Sequence, residues 1–160
     1  MEGIFRLHYP RIARLIARIL RDPGRAEELA VEVFLRWRGD WDADALAVQG
    51  WLSRTAVRLA LDELRRQRRH GRFAWLTARL FAPRDPDELA RSGLERTLVM
   101  DVLAKLKPRD SELLLLRAEG LSYEELGTAL GLHTPSIGKF VSRAQDAFRK
   151  EYLKRNGTAT

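Results

Sequence analysis

The chain has 160 residues, 45% hydrophobic and 32% charged, with 29 Lys and Arg against 22 Asp and Glu and a formal net charge of +7. That is enough for one ordinary domain or two small ones, and the positive balance favours an acidic partner such as nucleic acid or an anionic membrane. The absence of cysteine excludes disulfides and thiolate metal sites and permits a reducing cytoplasm, while basic residues interrupting every early apolar run argue against a signal peptide or spanning helix.

Strand-like alternation is missing and helical spacing runs almost throughout. Phe5, His8, Ile12, Leu15, Ile16 and Ile19 share one face of a helix ending near Arg21, with Pro10 predicting a kink or a late start. Asp22-Pro23 is a start signal, Asp as N-cap and Pro at the first helical position. The helix it opens runs to about Arg38 and buries Ala26, Leu29, Ala30, Val33, Phe34 and Trp37. An acidic loop from Gly39 leads at about Leu46 into a helix reaching Arg69, about 36 Å long, with Val48, Leu52, Thr55, Ala56 and Leu59 on its apolar face. These helices predict one bundle. From Gly71 to Gly93 the pattern loosens into a linker with a short apolar stretch around Phe73, Trp75 and Leu80, and a turn between Pro83 and Asp87.

A second bundle is expected beyond it. Leu94, Leu98, Val102, Leu103 and Leu106 line a helix stopped by Lys107-Pro108, and Leu113 to Leu116 form the apolar part of the next, ended at Gly120. Ser122 and Glu125 form a capping box for a third, which ends at Gly131. Thr134 is the expected cap of a fourth, with Pro135 at its first position. Leu126, Ala129 and Leu130 face inward from the third helix, Leu132 packs beneath the Gly131 turn, and Ile137, Val141, Ala144 and Phe148 face inward from the fourth. This is a helix-turn-helix pattern, whose second helix must stand clear of the bundle to enter a major groove.

Candidate contacts to nucleic acid follow from these placements. Thr134, Ser136, Lys139, Phe140 and Arg143 lie on the outer side of the helix-turn-helix, where Lys139 and Arg143 reach for base edges or phosphates or else belong to a solvated face. Arg54, Arg58, Arg65, Arg66, Arg68 and Arg69 make a basic stripe suited to salt-sensitive phosphate binding, with a solvated face again the plain alternative. His8, His70 and His133 are far apart, and no catalytic triad order, zinc-protease motif or Gly-rich phosphate loop is present, so no enzyme is expected. Asp40, Asp42 and Asp44 alternate as in a calcium loop, but the remaining ligand positions and the turn glycine do not follow; neither a metal nor a cofactor is expected.

Three segments, in this order, resemble the extracytoplasmic-function sigma factors of bacterial RNA polymerase: RAEELAVEVFLRW from Arg25 to Trp37, WLSRTAVRLALDELRRQRR from Trp51 to Arg69, and LAKLKPRDSELLLLRAEGLSYEELGTALGL from Leu103 to Leu132. The resemblance implies an all-α protein of two small bundles joined by a linker. A sigma-two-like domain at 1–70 would bind core polymerase and the minus-ten element, a linker would span 71–93, and a sigma-four-like helix-turn-helix domain at 94–155 would bind the minus-thirty-five element, with a frayed tail at 156–160. The implied partners are core RNA polymerase, promoter DNA and, as a further class, an anti-sigma factor, in a cytoplasmic protein without membrane insertion. On this resemblance Glu27, Glu28, Glu32 and Arg36 form the polymerase-docking face. Arg54, Arg58, Arg65, Arg66 and Arg69 hold the upstream part of the melted promoter, and Trp41 either stacks on a flipped base or seals the bundle end.

The chain departs from the family pattern at Glu28, Val31 and Arg58, and on the recognition helix at Gly138, Phe140 and Gln145, where the family favours basic residues. Phe140 has three readings: edge burial against the bundle, contact with a thymine methyl, or an anchor for a protein partner. Two other functions therefore stand beside promoter direction: a sigma-like interaction protein that reads DNA weakly, and a free-standing helix-turn-helix regulator that needs no polymerase.

Overall fold

The computed structural model describes residues 2–39, 44–69 and 86–157. Seven α-helices and one short 3-10 turn make up the described residues, with no strand among them. Helix α1 spans Glu2–Leu20, α2 Pro23–Arg36 and α3 Ala45–Arg69. Helix α4 spans Pro86–Lys105, α5 Pro108–Ala118, α6 Tyr123–Leu130 and α7 Ile137–Gly157, with the 3-10 turn Thr134–Ser136 between the last two. The expected kink or late start at Pro10 does not shorten α1, which runs through it. Helix α4 begins inside the stretch assigned to the linker, because Pro86 occupies a first-turn position where its missing N–H is harmless. The expected frayed tail is helical as far as Gly157.

Local chemistry explains most boundaries. Asp22 Oδ1 accepts a hydrogen bond from Arg25 N at 3.0 Å, which caps α2 directly ahead of Pro23. Ser122 and Glu125 complete a reciprocal capping box on α6, with donor–acceptor distances of 3.2 and 2.6 Å. Gly131 closes α6 in the left-handed region at φ 65°, a conformation open to glycine without penalty. Thr134, expected as the cap of the last helix, does not serve as one. His133 precedes the 3-10 turn without a side-chain cap, and α7 starts only at Ile137. The reason is that Ser136 N–H donates to His133 O at 2.9 Å, which winds Thr134 into the 3-10 turn instead of leaving it ahead of a helix; the same turn is tight, for a methyl group on Gly127 would lie 2.9 Å from both Leu132 O and Thr134 Oγ1.

The first bundle is α1, α2 and α3, each packed on the other two. Ile12, Leu15, Ile16, Ile19, Ala26, Leu29, Ala30 and Val33 are buried in it as the periodicity predicts, while Phe34 meets Phe5 edge-on and Phe5 stacks on Tyr9. Trp37 is only partly buried, edge-on to Trp51 at 4.9 Å. The second bundle is α4 to α7. Val102, Leu103, Leu113, Leu116, Leu126, Ile137, Val141 and Ala144 are buried there, and Ser111 Oγ donates to Leu103 O, tying α5 to α4. Leu94 departs from expectation and is 71% exposed.

The two bundles are not separate bodies. Helix α3 packs against α4, α5 and α6, and the buried side chains of both bundles run together into one apolar cluster. Two independent cores are what the linker leads one to expect. A single core forms instead because α3 carries a second buried face. Gly50, Val57, Leu61 and Leu64 are buried in addition to the expected Val48, Leu52, Ala56 and Leu59, with Thr55 only half-buried.

The close approach at Gly127 generates a prediction. Gly127→Ala pushes a methyl group against a backbone carbonyl in a packed turn, an overpacking that costs about 1–3 kcal/mol. Chemical denaturation reads the loss of stability; an unchanged midpoint would show that the turn yields freely.

Candidate nucleic-acid interface

Arg54, Arg65 and Arg68 of the basic stripe sit on the second buried face of α3. Gly50, Arg54, Leu61, Arg65 and Arg68 follow one another at steps of four, seven, four and three, which holds them on one side of a helix. That side meets the second bundle. Arg54 Nη1 donates to Ala129 O of α6 at 3.0 Å, and Arg65 Nε donates to Ala104 O of α4 at 3.2 Å. Arg68 pairs with Asp101 of α4. Beside Gly50 the helices approach so closely that an added Cβ would stand 3.5 Å from Ala129 Cβ.

Glu112 of α5 is the carboxylate these arginines surround. It is buried, with Arg58 Nε at 3.2 Å and Arg54 Nε at 3.7 Å. Burial pushes its carboxyl above the ordinary range, and the nearby Arg58 and Arg54 guanidiniums only partly pull it back. Glu63, on the same helix as the arginines, behaves in the opposite way. Burial alone would raise it, but bonds from Arg66, Arg25 and Gln67 hold it below the ordinary range. Arg66 is thereby committed within the first bundle, and Arg69 is exposed at the end of α3. Trp41, with Asp40, Asp42, His70 and the linker to residue 85, lies outside the described residues.

The recognition helix, by contrast, is open. Thr134, Lys139 and Arg143 are exposed and Ser136 is half-buried. Phe140 is partly buried against the core, with the Arg109 guanidinium 4.3 Å above its ring. Gly138 lies 3.7 Å, for an added Cβ, from the Tyr123 ring. A third face belongs to α2, where Glu27 and Glu28 are exposed, Glu28 pairs with Arg25 at 2.6 Å and Glu32 with Arg36 at 2.5 Å. Val31 and Leu35 are exposed among them at 41% and 69%.

Known families match the sequence of both halves. Residues 4–70 match the family described as Sigma-70 region 2, and residues 96–145 match Sigma-70, region 4. The RNA polymerase sigma factor CarQ of Myxococcus xanthus is 33% identical over 157 residues, which covers 93% of this chain and 85% of that protein. The chain belongs to the extracytoplasmic-function sigma factors. An ECF RNA polymerase sigma factor SigK from a Mycobacterium species (strain JLS) is 31% identical over 87% of the chain and 74% of its own length. SigE of Mycolicibacterium smegmatis is 28% identical over 99% of the chain, which spans 63% of that longer protein.

As a sigma factor of this type, the protein binds core RNA polymerase and directs it to promoters. No described helix is long and apolar enough to cross a membrane, and among the described residues no cluster of His, Cys, Asp or Glu could hold a metal ion.

Sequence reasoning placed the arginines on the right helix but missed what faces them. Glu112 stands one helical turn before buried Leu116, so its register on the buried side of α5 was the available signal. Asp101 and Ala129 carried none, because their relation to α3 exists only across the seam. Val31 and Leu35 recur at a step of four on the acidic face of α2 and could have been found as an apolar pair.

The raised pKa of Glu112 has a direct consequence. A carboxyl whose folded pKa lies above its unfolded value stabilises the fold when protonated, and that contribution is lost as pH rises from the ordinary value of 4.5 through the folded one. Arg58, Arg54, Asp62 and Arg65 are the charges acting on it. Glu112→Gln is therefore expected to flatten the decline in stability between that pH and neutrality. Superimposable pH profiles of the thermal midpoint for the variant and the parent would contradict this.

Proposed function

We propose that this arrangement is the resting, polymerase-free form of the sigma factor, in which the second bundle covers the promoter-holding stripe of the first. The observation that carries the reading is that Arg54, Arg65 and Arg68 spend their donors on Ala129 O, Ala104 O and Asp101. With side chains only 22–33% exposed, these three guanidiniums lie under the second bundle, which stands between them and a DNA backbone. Glu112 makes the seam easy to open. Two guanidiniums at 3.2 and 3.7 Å leave its buried carboxylate under-compensated, and breaking such a contact releases part of a desolvation penalty. Binding of polymerase would part the bundles and free the stripe.

In this reading the sigma-two-like unit at 1–70 binds polymerase and the minus-ten element, and the helix-turn-helix unit at 94–155 binds the minus-thirty-five element. Polymerase docks on α2 through Glu27, Glu28, Glu32 and Arg36, with Val31 and Leu35 as the apolar centre; apolar side chains ringed by charge suit a protein surface. Arg58, Arg66 and Arg69 join the three covered arginines once the seam opens. Thr134, Ser136, Lys139 and Arg143 read or hold the upstream element, and Phe140 supports the helix from below. Trp41 keeps its proposed stacking role, and an anti-sigma partner would act on the same equilibrium by favouring the closed form. The protein acts by binding alone and works in the cytoplasm.

Two measurements test this. The chain has no native cysteine, and the 3.5 Å approach at Gly50 and Ala129 suits a disulfide, whose Cβ atoms lie about 3.5–4.5 Å apart. The Gly50→Cys/Ala129→Cys protein is expected to lose run-off transcription at least about tenfold when oxidised and to regain it on reduction, the lock outweighing a seam opening of about 1.4 kcal/mol or more. Full activity of the oxidised form would refute the closed resting state. Separately, Lys139→Glu/Arg143→Glu should weaken promoter complexes and lower the salt slope by about two units, near 0.9 per phosphate contact; an unchanged slope would mark both as solvated cations only.

A further inference from the structure

At the end of α3 remote from the helix-turn-helix, the two bundles enclose a cleft of about 700 Å³. Its floor is apolar, made by Ile19, Leu20, Leu64, Met100 and Ala104. Its walls are cationic. Arg65, Arg68 and Arg69 come from α3, Arg96 and Lys105 from α4, Arg155 from α7, and Arg21 follows α1. One carboxylate, Asp101, stands against them among the described lining residues, and it is already shared by Arg68 and Arg155.

Arg155 is also paired with Glu151 at 2.9 Å, but three of the other arginines each keep a donor unmatched. Arg65 Nη2, Arg68 Nε and Arg96 Nε are buried without a hydrogen-bond partner among the described residues, and buried donors lacking acceptors are costly. Burial, followed by the neighbouring Arg155, draws Arg68 below the ordinary arginine range; burial, followed by Arg21 and Arg18, does the same to Arg96. Arg21 adds a backbone oddity, for it adopts φ 56° where glycine would be unstrained. Three buried guanidinium donors left over among the described residues, set around an apolar floor, call for an anion that also carries a flat apolar part.

We propose that the cleft binds a nucleoside polyphosphate, its phosphates among Arg65, Arg68, Arg96 and Lys105 and its base on the Leu64, Met100 and Ala104 floor. Guanidiniums suit phosphate oxygens because their donors fork to match them. The volume falls in the range of small-molecule sites, about 300–1,000 Å³. The same chemistry occurs in a nucleotide unit of a DNA strand, but a free nucleotide fits better, since both walls exist only while the bundles are closed. Binding here would therefore hold the sigma factor shut, and opening by polymerase would expel the ligand, because the two events are thermodynamically linked. This consequence rests on the closed resting form proposed above; the site itself requires only that the bundles be closed.

The test separates the two. The full chain locked by the oxidised Gly50→Cys/Ala129→Cys pair, and the unmodified chain, are titrated calorimetrically with ATP, GTP, inorganic tripolyphosphate and a six-nucleotide single strand. The locked chain is expected to bind a nucleoside triphosphate saturably and more tightly than tripolyphosphate. Arg96→Gln/Lys105→Gln in the locked background should weaken binding at least about tenfold, the loss of two charged hydrogen bonds, with the thermal midpoint confirming the fold. Arg69→Gln, at an exposed position, repeats the test with little risk to folding. Absence of saturable binding to the locked chain, unchanged affinity in both variants, or binding of the oligonucleotide alone overturns the proposal. Binding by the locked chain but not by the unmodified one upholds the cleft and refutes the closed resting form.

Discussion

A helix that is buried on two sides joins two bundles into one core, and α3 is in that position. Its Val48, Leu52, Ala56 and Leu59 face complete the first bundle, and its Gly50, Arg54, Leu61, Arg65 and Arg68 side is covered by the second. Each large apolar side chain removed from water contributes about 1.5–3 kcal/mol, so Leu61 and Val57, both fully buried, favour closure. The arginines between them oppose it unless paired. The seam holds because carbonyls of α4 and α6 and carboxylates of α4 and α5 meet the guanidiniums at bonding distance, and the absence of a side chain at Gly50 lets α6 come close enough to supply them.

The two buried glutamates show how differently one residue type is used. Glu63 is embraced by Arg66, Arg25 and Gln67 and held ionised, which ties α3 to the start of α2 inside one bundle. Glu112 has two guanidiniums at longer range and is pushed toward the protonated form. A fully satisfied network rigidifies, whereas a partly satisfied one is the natural place for a structure to yield. The fully satisfied contact lies within a bundle and the partly satisfied one between bundles. The ion pair between Arg18 and Glu119 at 2.7 Å also crosses the seam, but Arg18 is largely exposed there, and exposed pairs add little, about 0–1 kcal/mol.

The surfaces left open are consistent with a protein that meets polymerase before DNA. The acidic and apolar face of α2 is accessible in the closed arrangement, and so are Lys139 and Arg143 on the recognition helix. Arg54, Arg65 and Arg68 of the α3 stripe are covered, and Arg58, Arg66 and Arg69 are exposed. Phe140, which replaces a family arginine, takes the cation–π contact with Arg109 and so becomes part of the helix's support.

Much of this was legible in the residues alone, because helix periodicity, caps and breakers are local properties. Asp22 with Pro23, the Ser122 and Glu125 box, and Gly131 place helix ends by interactions spanning three or four residues, and the structure carries them out. The inward residues of the helix-turn-helix follow from 3.6-residue spacing, and so does the basic stripe as a stripe. Thr134 went otherwise because the chain winds a 3-10 turn ahead of the last helix, with Ser136 N–H on His133 O, so Thr134 lies inside that turn. What the stripe touches was beyond local reasoning. Arg54 meets Ala129 seventy-five residues later and Arg65 meets Ala104 thirty-nine later, and a guanidinium on a helix has the same sequence signature whether water, phosphate or a distant carbonyl receives it. Sequence by itself determined the helices, their ends and the family; only the tertiary structure decided that the second bundle closes on the first. That choice depends on shape and charge complementarity between surfaces remote in the chain, which no periodicity records.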